Sequence, residues 1–234
     1  MAKPTLQSAD AWPTSTSVWT KLLNILASPA EVFQEVVISS PKHVNWLVPT
    51  LLVCATGVVL LGATGDKGHA TAAIEQLSPA SQFSSEQAGW LSKHGHLISG
   101  SGVCLGALAG VFWSAFVIWF IGRVPLKSRF PFVKALEAVG LTSSILVLGT
   151  IVTALLTLAV GDVLARPALS LLALKLDPGS ESRAALDTLN LFHLWTVTVL
   201  ALSLSKLSAV SFREAAFWVF GYWVVVRLAL IILA

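Results

Sequence analysis

Charged residues are scarce in this chain of 234 residues. They make up 12% of the sequence, whereas hydrophobic residues make up 55%. Soluble domains carry about a quarter charged residues, so the shortage excludes an ordinary soluble domain and indicates a polytopic membrane protein. The formal net charge of +3 is small and does not favour binding to nucleic acid.

Cysteine is also rare, and the motifs of common catalytic sites are missing. Cys54 and Cys104 both fall within apolar runs, so they predict buried thiols and neither a disulfide framework nor a metal site. His94 and His96 have no cysteine or carboxylate close by in sequence, so we expect interfacial or exposed histidines. There is no Gly-x-Ser-x-Gly elbow and no Walker-type loop. We therefore expect a protein that is not an enzyme and binds no cofactor or metal.

Long apolar runs are what the chain does contain, and their length predicts helices that cross a bilayer. We predict an all-α, polytopic membrane protein with a five-helix transmembrane domain over residues 45–234. Residues 1–44 are predicted to be a cytoplasmic lead with short amphipathic, interfacial helices. The five predicted spans are residues 45–64, 97–121, 135–161, 187–205 and 214–234.

Within this lead, the first amphipathic segment runs from Val18 to Leu26. Its helical periodicity places Val18, Trp19, Leu22, Leu23 and Leu26 on one face and Lys21 and Asn24 opposite, which is typical of a helix on a membrane surface.

The second span carries small residues at every fourth position, Gly102, Gly106, Gly110 and Ser114. A face without bulky side chains allows the backbone of another helix to approach, which is a common way for helices to associate in lipid. This repeat predicts that the second span is the packing centre of the bundle. A dimer seam is the alternative, but a neighbour within the same chain is the expected partner.

The orientation follows from the distribution of lysine and arginine. With the N-terminus inside, nine of them fall in cytoplasmic segments and five in outer loops. The positive-inside rule therefore predicts a cytoplasmic N-terminus and, with five spans, an external C-terminus. The most basic short loop joins the second and third spans and offers a docking surface for a cytoplasmic partner or anionic lipid, unless its charges serve topology alone. Its basic residues are Arg123, Lys127, Arg129 and Lys134.

Polar residues within the spans are further candidates, because an ionisable group at membrane depth is costly. Arg227 in the fifth span is predicted to approach an outer polar cluster on the facing helix and loop, formed by Asp162, Asp187, Asn190 and His193. The alternatives are that Arg227 extends to the interface alone or stacks on Trp223. Glu137, near the inner end of the third span, is expected to pair with Lys134 or Arg213.

Three stretches of the sequence resemble the Ypt-interacting-protein (Yip) family. The closing LNLFHLWTVTVLALSLSKLSAVSFREAAFWVFGYW has an aromatic start at Phe192 and Trp195, and the small-Ser-Phe-basic-x-Ala-Ala pattern at Val210 to Ala216. SPAEVFQEV is similar to the family's segment before the first span, and FPFVKALEAVG to the start of its third span.

The resemblance implies a five-helix membrane protein without known catalytic residues. Eukaryotic relatives are associated with vesicle trafficking and small GTPases, whereas bacterial relatives lie in the cytoplasmic membrane and some accompany ABC-type exporters. The short N-terminal segment and the Ala/Leu/Gly-rich composition favour a bacterial source and the cell membrane.

Two functions are compatible with the sequence. The first is a scaffold or accessory subunit for other membrane proteins, such as an exporter, with membrane lipids and either another integral membrane protein or a second copy as partners. The second is a small transporter or lipid-handling protein that uses the outer polar cluster. A transporter predicts a water-filled pocket that reaches His193 and Arg227.

Overall fold

The computed structural model describes residues 16–63, 85–160, 166–173, 186 and 189–233. These residues form eight α-helices and one short 3₁₀ helix, Leu169–Ala173. The α-helices are α1 (Val18–Ala27), α2 (Pro29–Ile38), α3 (Val44–Ala63), α4 (Ser85–Arg123), α5 (Phe132–Thr142), α6 (Ser144–Val160), α7 (Leu191–Ser208) and α8 (Phe212–Leu233).

Five segments are long and apolar enough to cross a membrane, which confirms the predicted fold class. They are α3, the part of α4 from Leu97 to Arg123, α5 with α6, α7, and α8. Helix α4 begins at Ser85, well before its apolar part, which starts at Leu97. Helix α8 begins at Phe212 because Ser211 accepts a hydrogen bond from the Glu214 amide at 3.2 Å and caps the first turn.

The third span is divided into α5 and α6 at Ser143. Three consecutive hydroxyl groups donate to carbonyls one turn earlier: Thr142 to Ala138, Ser143 to Gly140, and Ser144 to Leu141. Such bonds satisfy hydroxyl groups at membrane depth and commonly bend a helix. Thr150 and Thr153 also bond within their own helix, to the carbonyls of Leu146 and Gly149.

The third span is also where the helices converge. Helix α3 packs against α4 on one side and α5 and α6 on the other, while α7 packs against α2, α5, α6 and α8. Helix α8 lies at the edge of the bundle and its largest interface is with α7. It leaves much of its apolar surface uncovered; Phe217 is 72% exposed and Ile232 is 81% exposed.

The N-terminal helices α1 and α2 pack against the bundle. Ile25, Phe33 and Val36 are fully buried and share a core with Leu141 and Ile145 of the third span. Trp19 and Leu23 of the predicted apolar face of α1 are exposed, whereas Lys21, which was predicted on the polar face, is buried. The physical reason is an ion pair: the Lys21 ammonium lies 3.1 Å from the Glu35 carboxylate of α2, so α1 turns its lysine toward α2.

The glycines that make close contacts are not those of the second-span repeat. A Cβ atom added at Gly140 would lie 2.3 Å from the Trp46 Cα, and one at Gly149 would lie 2.9 Å from the Phe192 ring. Within the described part of the chain, a Cβ added at Gly102, Gly106 or Gly110 would meet nothing within 4 Å. The expectation that this repeat packs within the chain was therefore wrong, because α3 contacts α4 through a different face, where Val103 meets Gly57. Ser114, the last member of the repeat, is half-buried.

Candidate functional site

The inner end of the third span carries a buried ion pair that joins three helices. The Lys134 ammonium lies 3.1 Å from the Glu137 carboxylate, and both side chains are almost fully buried. The same ammonium donates to the Ser39 carbonyl at 2.6 Å and to the Val36 carbonyl. These carbonyls end α2, so a positive charge lies at the negative end of that helix.

Glu137 links the start of the first span to the third span through hydrogen bonds. Its Oε1 accepts hydrogen bonds from the Lys42 amide at 2.7 Å and from the Asn45 side-chain amide at 2.8 Å. The pairing of Glu137 with Lys134 agrees with one of the two partners expected from the sequence. It also corrects the assignment of Lys134 to the docking surface, because its charge is used inside the bundle.

The other basic residues of the loop between the second and third spans do project outward. Arg123, Lys127 and Arg129 are all exposed. The loop is held by backbone bonds from Leu126 to the Ile121 carbonyl and from Ser128 to the Gly122 carbonyl. The Arg123 guanidinium lies 5.8 Å from the centre of the Trp119 ring, which supports its position at the edge of the apolar bundle.

A second charged contact fixes the N-terminal helices to each other. Besides its ion pair with Lys21, Glu35 accepts hydrogen bonds from the backbone amide of Thr16 at 2.9 Å and from its hydroxyl at 2.5 Å. Burial raises the pKa of Glu35, but these hydrogen bonds and the charge of Lys21 outweigh it, so the pKa lies below its ordinary value of 4.5.

At the other end of the bundle, the structure describes Arg227 and two of the four residues of the predicted outer polar cluster, Asn190 and His193. Asn190 caps α7, since its Oδ1 accepts bonds from the amides of Phe192 at 2.9 Å and His193 at 3.4 Å. The Arg227 guanidinium lies 5.9 Å from the centre of the Trp223 ring, the stacking named as an alternative. Asp162 and Asp187 lie outside the described residues, so their pairing with Arg227 stays a prediction.

His193 lies in the first turn of α7 and is half-buried. Its Nδ1 atom is buried and has no hydrogen-bond partner in the described part of the chain.

An apolar recess of about 340 Å³ adjoins these residues. It forms where the chain before the 3₁₀ helix meets the start of α7, and the Leu191 amide donates to the Pro167 carbonyl at 3.1 Å. Its walls include Pro167, Ala168, Leu189, Leu191 and Leu194. Neither His193 nor Arg227 lines it, so it is not the polar pocket that a transporter would require.

The family comparison identifies this arrangement. A family model described as the Yip1 domain matches residues 23–234, which covers α1 from its middle through α8. The chain belongs to the Yip1 domain family. Searches among curated proteins and among solved structures found no match.

The residues that hold the Yip1 domain together here include several that the resemblance had singled out. SPAEVFQEV supplies Phe33 to the core and Glu35 to the ion pair, and FPFVKALEAVG supplies Lys134, Glu137 and the close-packed Gly140. These motifs therefore correspond to packing and anchoring positions.

Metal binding has no support in the described residues of this Yip1-domain protein. Among them, no group of three or more His, Cys, Asp or Glu side chains could hold an ion. Cys54 and Cys104 are free thiols at the contact between α3 and α4, where the Cys54 sulfur lies 3.8 Å from the Cys104 carbonyl oxygen. The His96 side chain lies outside what the structure describes.

Sequence reasoning missed the roles of Lys21, Glu35 and Asn45. The pairing of Lys21 with Glu35 had one signal in the sequence: a lysine within an otherwise apolar helix, followed by a glutamate on the next helix. Asn45 gave no such signal, because its contact with Glu137 depends on how α3 lies against α5.

Proposed function

We propose that this Yip1-domain protein is a non-enzymatic scaffold or accessory subunit for other integral membrane proteins, of the kind that accompanies an export system. One observation carries the proposal: the glycine face of α4, defined by Gly102, Gly106 and Gly110, is exposed and has no close neighbour among the described residues. A second helix can approach such a face closely, which supplies the van der Waals contact that drives association in lipid.

The opposite side of the same helix supports the proposal. Val111, Ala115 and Ile118 of α4 are buried in the core with α7 and α8. Helix α4 thus has an inner side that is anchored in the bundle and an outer side on which the glycine face lies beside exposed Leu105 and Trp113. A partner helix on the outer side would leave the internal packing undisturbed.

The exposed loop that follows α4 adds a polar contact surface. Arg123, Lys127 and Arg129 lie beyond the inner end of α4 and would meet acidic groups on the cytoplasmic part of the same partner, or anionic lipid headgroups. We place the protein in a bacterial cytoplasmic membrane, with its N-terminus inside and its C-terminus outside. The nine-to-five distribution of basic residues supports this orientation.

A matched pair of glycine variants tests the scaffold role. Gly106→Leu should release a partner that co-purifies with the parent from native membranes, yet leave the thermal stability of the purified chain unchanged, since no atom of the described residues lies within 4 Å of a Cβ at Gly106. Gly221→Leu is the control, because Gly221 on α8 also faces open space. It should retain the partner. Retention of the same partners by Gly106→Leu would contradict the proposal, and recovery of a tagged second copy alone would assign the face to self-association.

A further inference from the structure

Helix α1 packs against the side of the bundle. Besides α2, it contacts α3 of the first span and both α5 and α6 of the third span. Its residues Leu22 and Ile25 are buried in one core with Leu141 and Ile145 of the third span. Leu52 of α3 packs against the same core. Helix α1 therefore lies beside parts of two spans that come well after their first turns.

The depth of this core can be measured from a polar contact. Asn45 and Glu137, which are joined by a hydrogen bond, mark a polar layer where the first and third spans begin. Ile145 lies eight residues after Glu137 and Leu52 seven residues after Asn45, which correspond to about 12 Å and about 10 Å along a helix. Helix α3 has 20 residues, about the number that the hydrocarbon core requires, so its start at Val44 must lie at the interface. Both spans thus place the contacts of α1 at hydrocarbon depth.

The outer face of α1 is uncharged. Trp19 is 59% exposed and Leu23 is 70% exposed. Lys21, the one charged residue of α1, is turned inward, and its ammonium lies 3.1 Å from the Glu35 carboxylate. An unpaired ammonium at membrane depth is costly, so lipid around α1 would explain why this lysine is buried and paired. The other exposed residues of the helix are Thr20, Asn24 and Ala27.

We propose that α1 is embedded in one leaflet of the bilayer, where Trp19 and Leu23 contact the acyl chains of lipids. The depth of α1 identifies lipid as the occupant of this face, because the exposed Leu51 of α3 lies at the same depth on a helix that crosses the bilayer. With the orientation proposed above, this is the inner leaflet. The contact is independent of the scaffold role, which uses the glycine face of α4.

The contacts of α2 set the limits of the embedded surface. Thr16, just before α1, donates to the Glu35 carboxylate, and the carbonyl of the next residue, Val36, accepts a hydrogen bond from Lys134 at the polar layer. Helix α1 thus starts at the polar layer, and its later turns reach the core beyond it. The exposed side of α2 carries Glu31, so the surface that faces lipid is confined to α1.

Spin labels on introduced cysteines measure this depth for the full chain in lipid vesicles. A label at Leu23→Cys should collide several-fold more often with oxygen, which concentrates in hydrocarbon, than with a water-soluble nickel chelate. Gln34→Cys, at an exposed position on α2, is the matched control and should show the reverse. Val59→Cys, exposed near the middle of α3, supplies the reference for hydrocarbon. The parent, labelled in the same way, gives the background from Cys54 and Cys104.

Trp19 provides a second measurement that needs no label. Lipids brominated along their acyl chains should quench a smaller share of the tryptophan fluorescence in Trp19→Phe than in the parent, whereas the share quenched by aqueous iodide should be the same in both. Three results would overturn the proposal: preferential collision of the Leu23 label with the nickel chelate, equal quenching of both proteins by brominated lipid, or a Leu23 label that neither reagent reaches. The last result would assign the face to a protein partner.

Discussion

The backbones of α3 and α5 touch at Gly140 and Trp46, so closely that a Cβ atom at residue 140 would lie 2.3 Å from the Trp46 Cα. Because the obstructing atoms belong largely to the backbone, no side-chain rotation can relieve the clash. This contact, together with the Lys134–Glu137 pair one turn earlier, sets the position of the first span against the third.

Gly140→Ala should therefore lower the stability of the protein, whereas Gly106→Ala should not. Overpacking of a close contact costs about 1–3 kcal/mol. At Gly106 the added methyl group meets open space, and alanine favours the helix by up to about 1 kcal/mol. Thermal unfolding in detergent measures both variants. Equal melting temperatures for the two would show that α3 and α5 are not in contact at this point.

Loss of the Glu137 carboxylate should be among the most destabilising changes in the chain. Glu137→Ala leaves the Lys134 ammonium, the Lys42 amide and the Asn45 side chain without this acceptor, and breaking a buried pair costs about 3–5 kcal/mol. Glu137→Gln retains one acceptor oxygen and should cost less. Glu214→Gln, at an exposed position, is the control and should change the stability by less than about 1 kcal/mol. Similar unfolding curves for Glu137→Ala and Glu214→Gln would count against the anchoring role.

Acid should loosen the N-terminal helices through Glu35. Its pKa is lowered in the folded protein, so its contribution to stability is complete above the ordinary value of 4.5 and is lost as the pH falls through the lowered folded value. Hydrogen exchange of α1 and α2 should accelerate in that pH range. Glu35→Gln should remove this pH dependence, and Glu31→Gln, an exposed position on the same helix, should retain it. An identical pH profile in Glu35→Gln would argue against this contact.

A hydrogen bond joins the second and fifth spans. The Trp113 indole donates to the Tyr222 hydroxyl at 2.8 Å, and α8 otherwise has little contact with α4. A double-mutant cycle of Trp113→Phe and Tyr222→Phe should give a coupling free energy of about 0.6 kcal/mol, typical of hydrogen bonds between membrane helices. The Trp195 ring packs against Phe192 in a different part of the core, so Trp195→Phe with Tyr222→Phe should show no coupling. Additive effects of Trp113→Phe and Tyr222→Phe would mean that the bond does not form in the membrane.

The predicted orientation can be measured with reporter fusions. A reporter after Ala234 should be active only outside, and one inserted between Lys127 and Lys134 only in the cytoplasm, because the basic segments favour the inner side. A cytoplasmic signal from the C-terminal fusion would reverse the orientation and move the end of α8 that carries Arg227 to the inner leaflet.

The sequence by itself determined the class of the protein, the number of spans and their approximate positions. Hydrocarbon thickness requires an apolar run of about 20 residues, and this requirement is local, so it can be read without knowing any neighbour. The family motifs can also be recognised in the sequence alone, since FPFVKALEAVG marks the start of the third span whatever that helix packs against. The Glu137–Lys134 pair could be predicted for a similar reason, because side chains three residues apart on a helix are neighbours.

Only the tertiary structure decided which glycines are in contact and which charges are buried. A small residue every fourth position defines a face but not its neighbour; Gly106 looks outward, while the isolated Gly140 carries the closest helix contact. Lys134 and Lys21 likewise look like surface charges in the sequence, and they are buried because α2 brings its terminal carbonyls and Glu35 to them. Periodicity fixes directions around one helix axis, but the contact between two helices depends on the shapes of both surfaces, which no single segment contains.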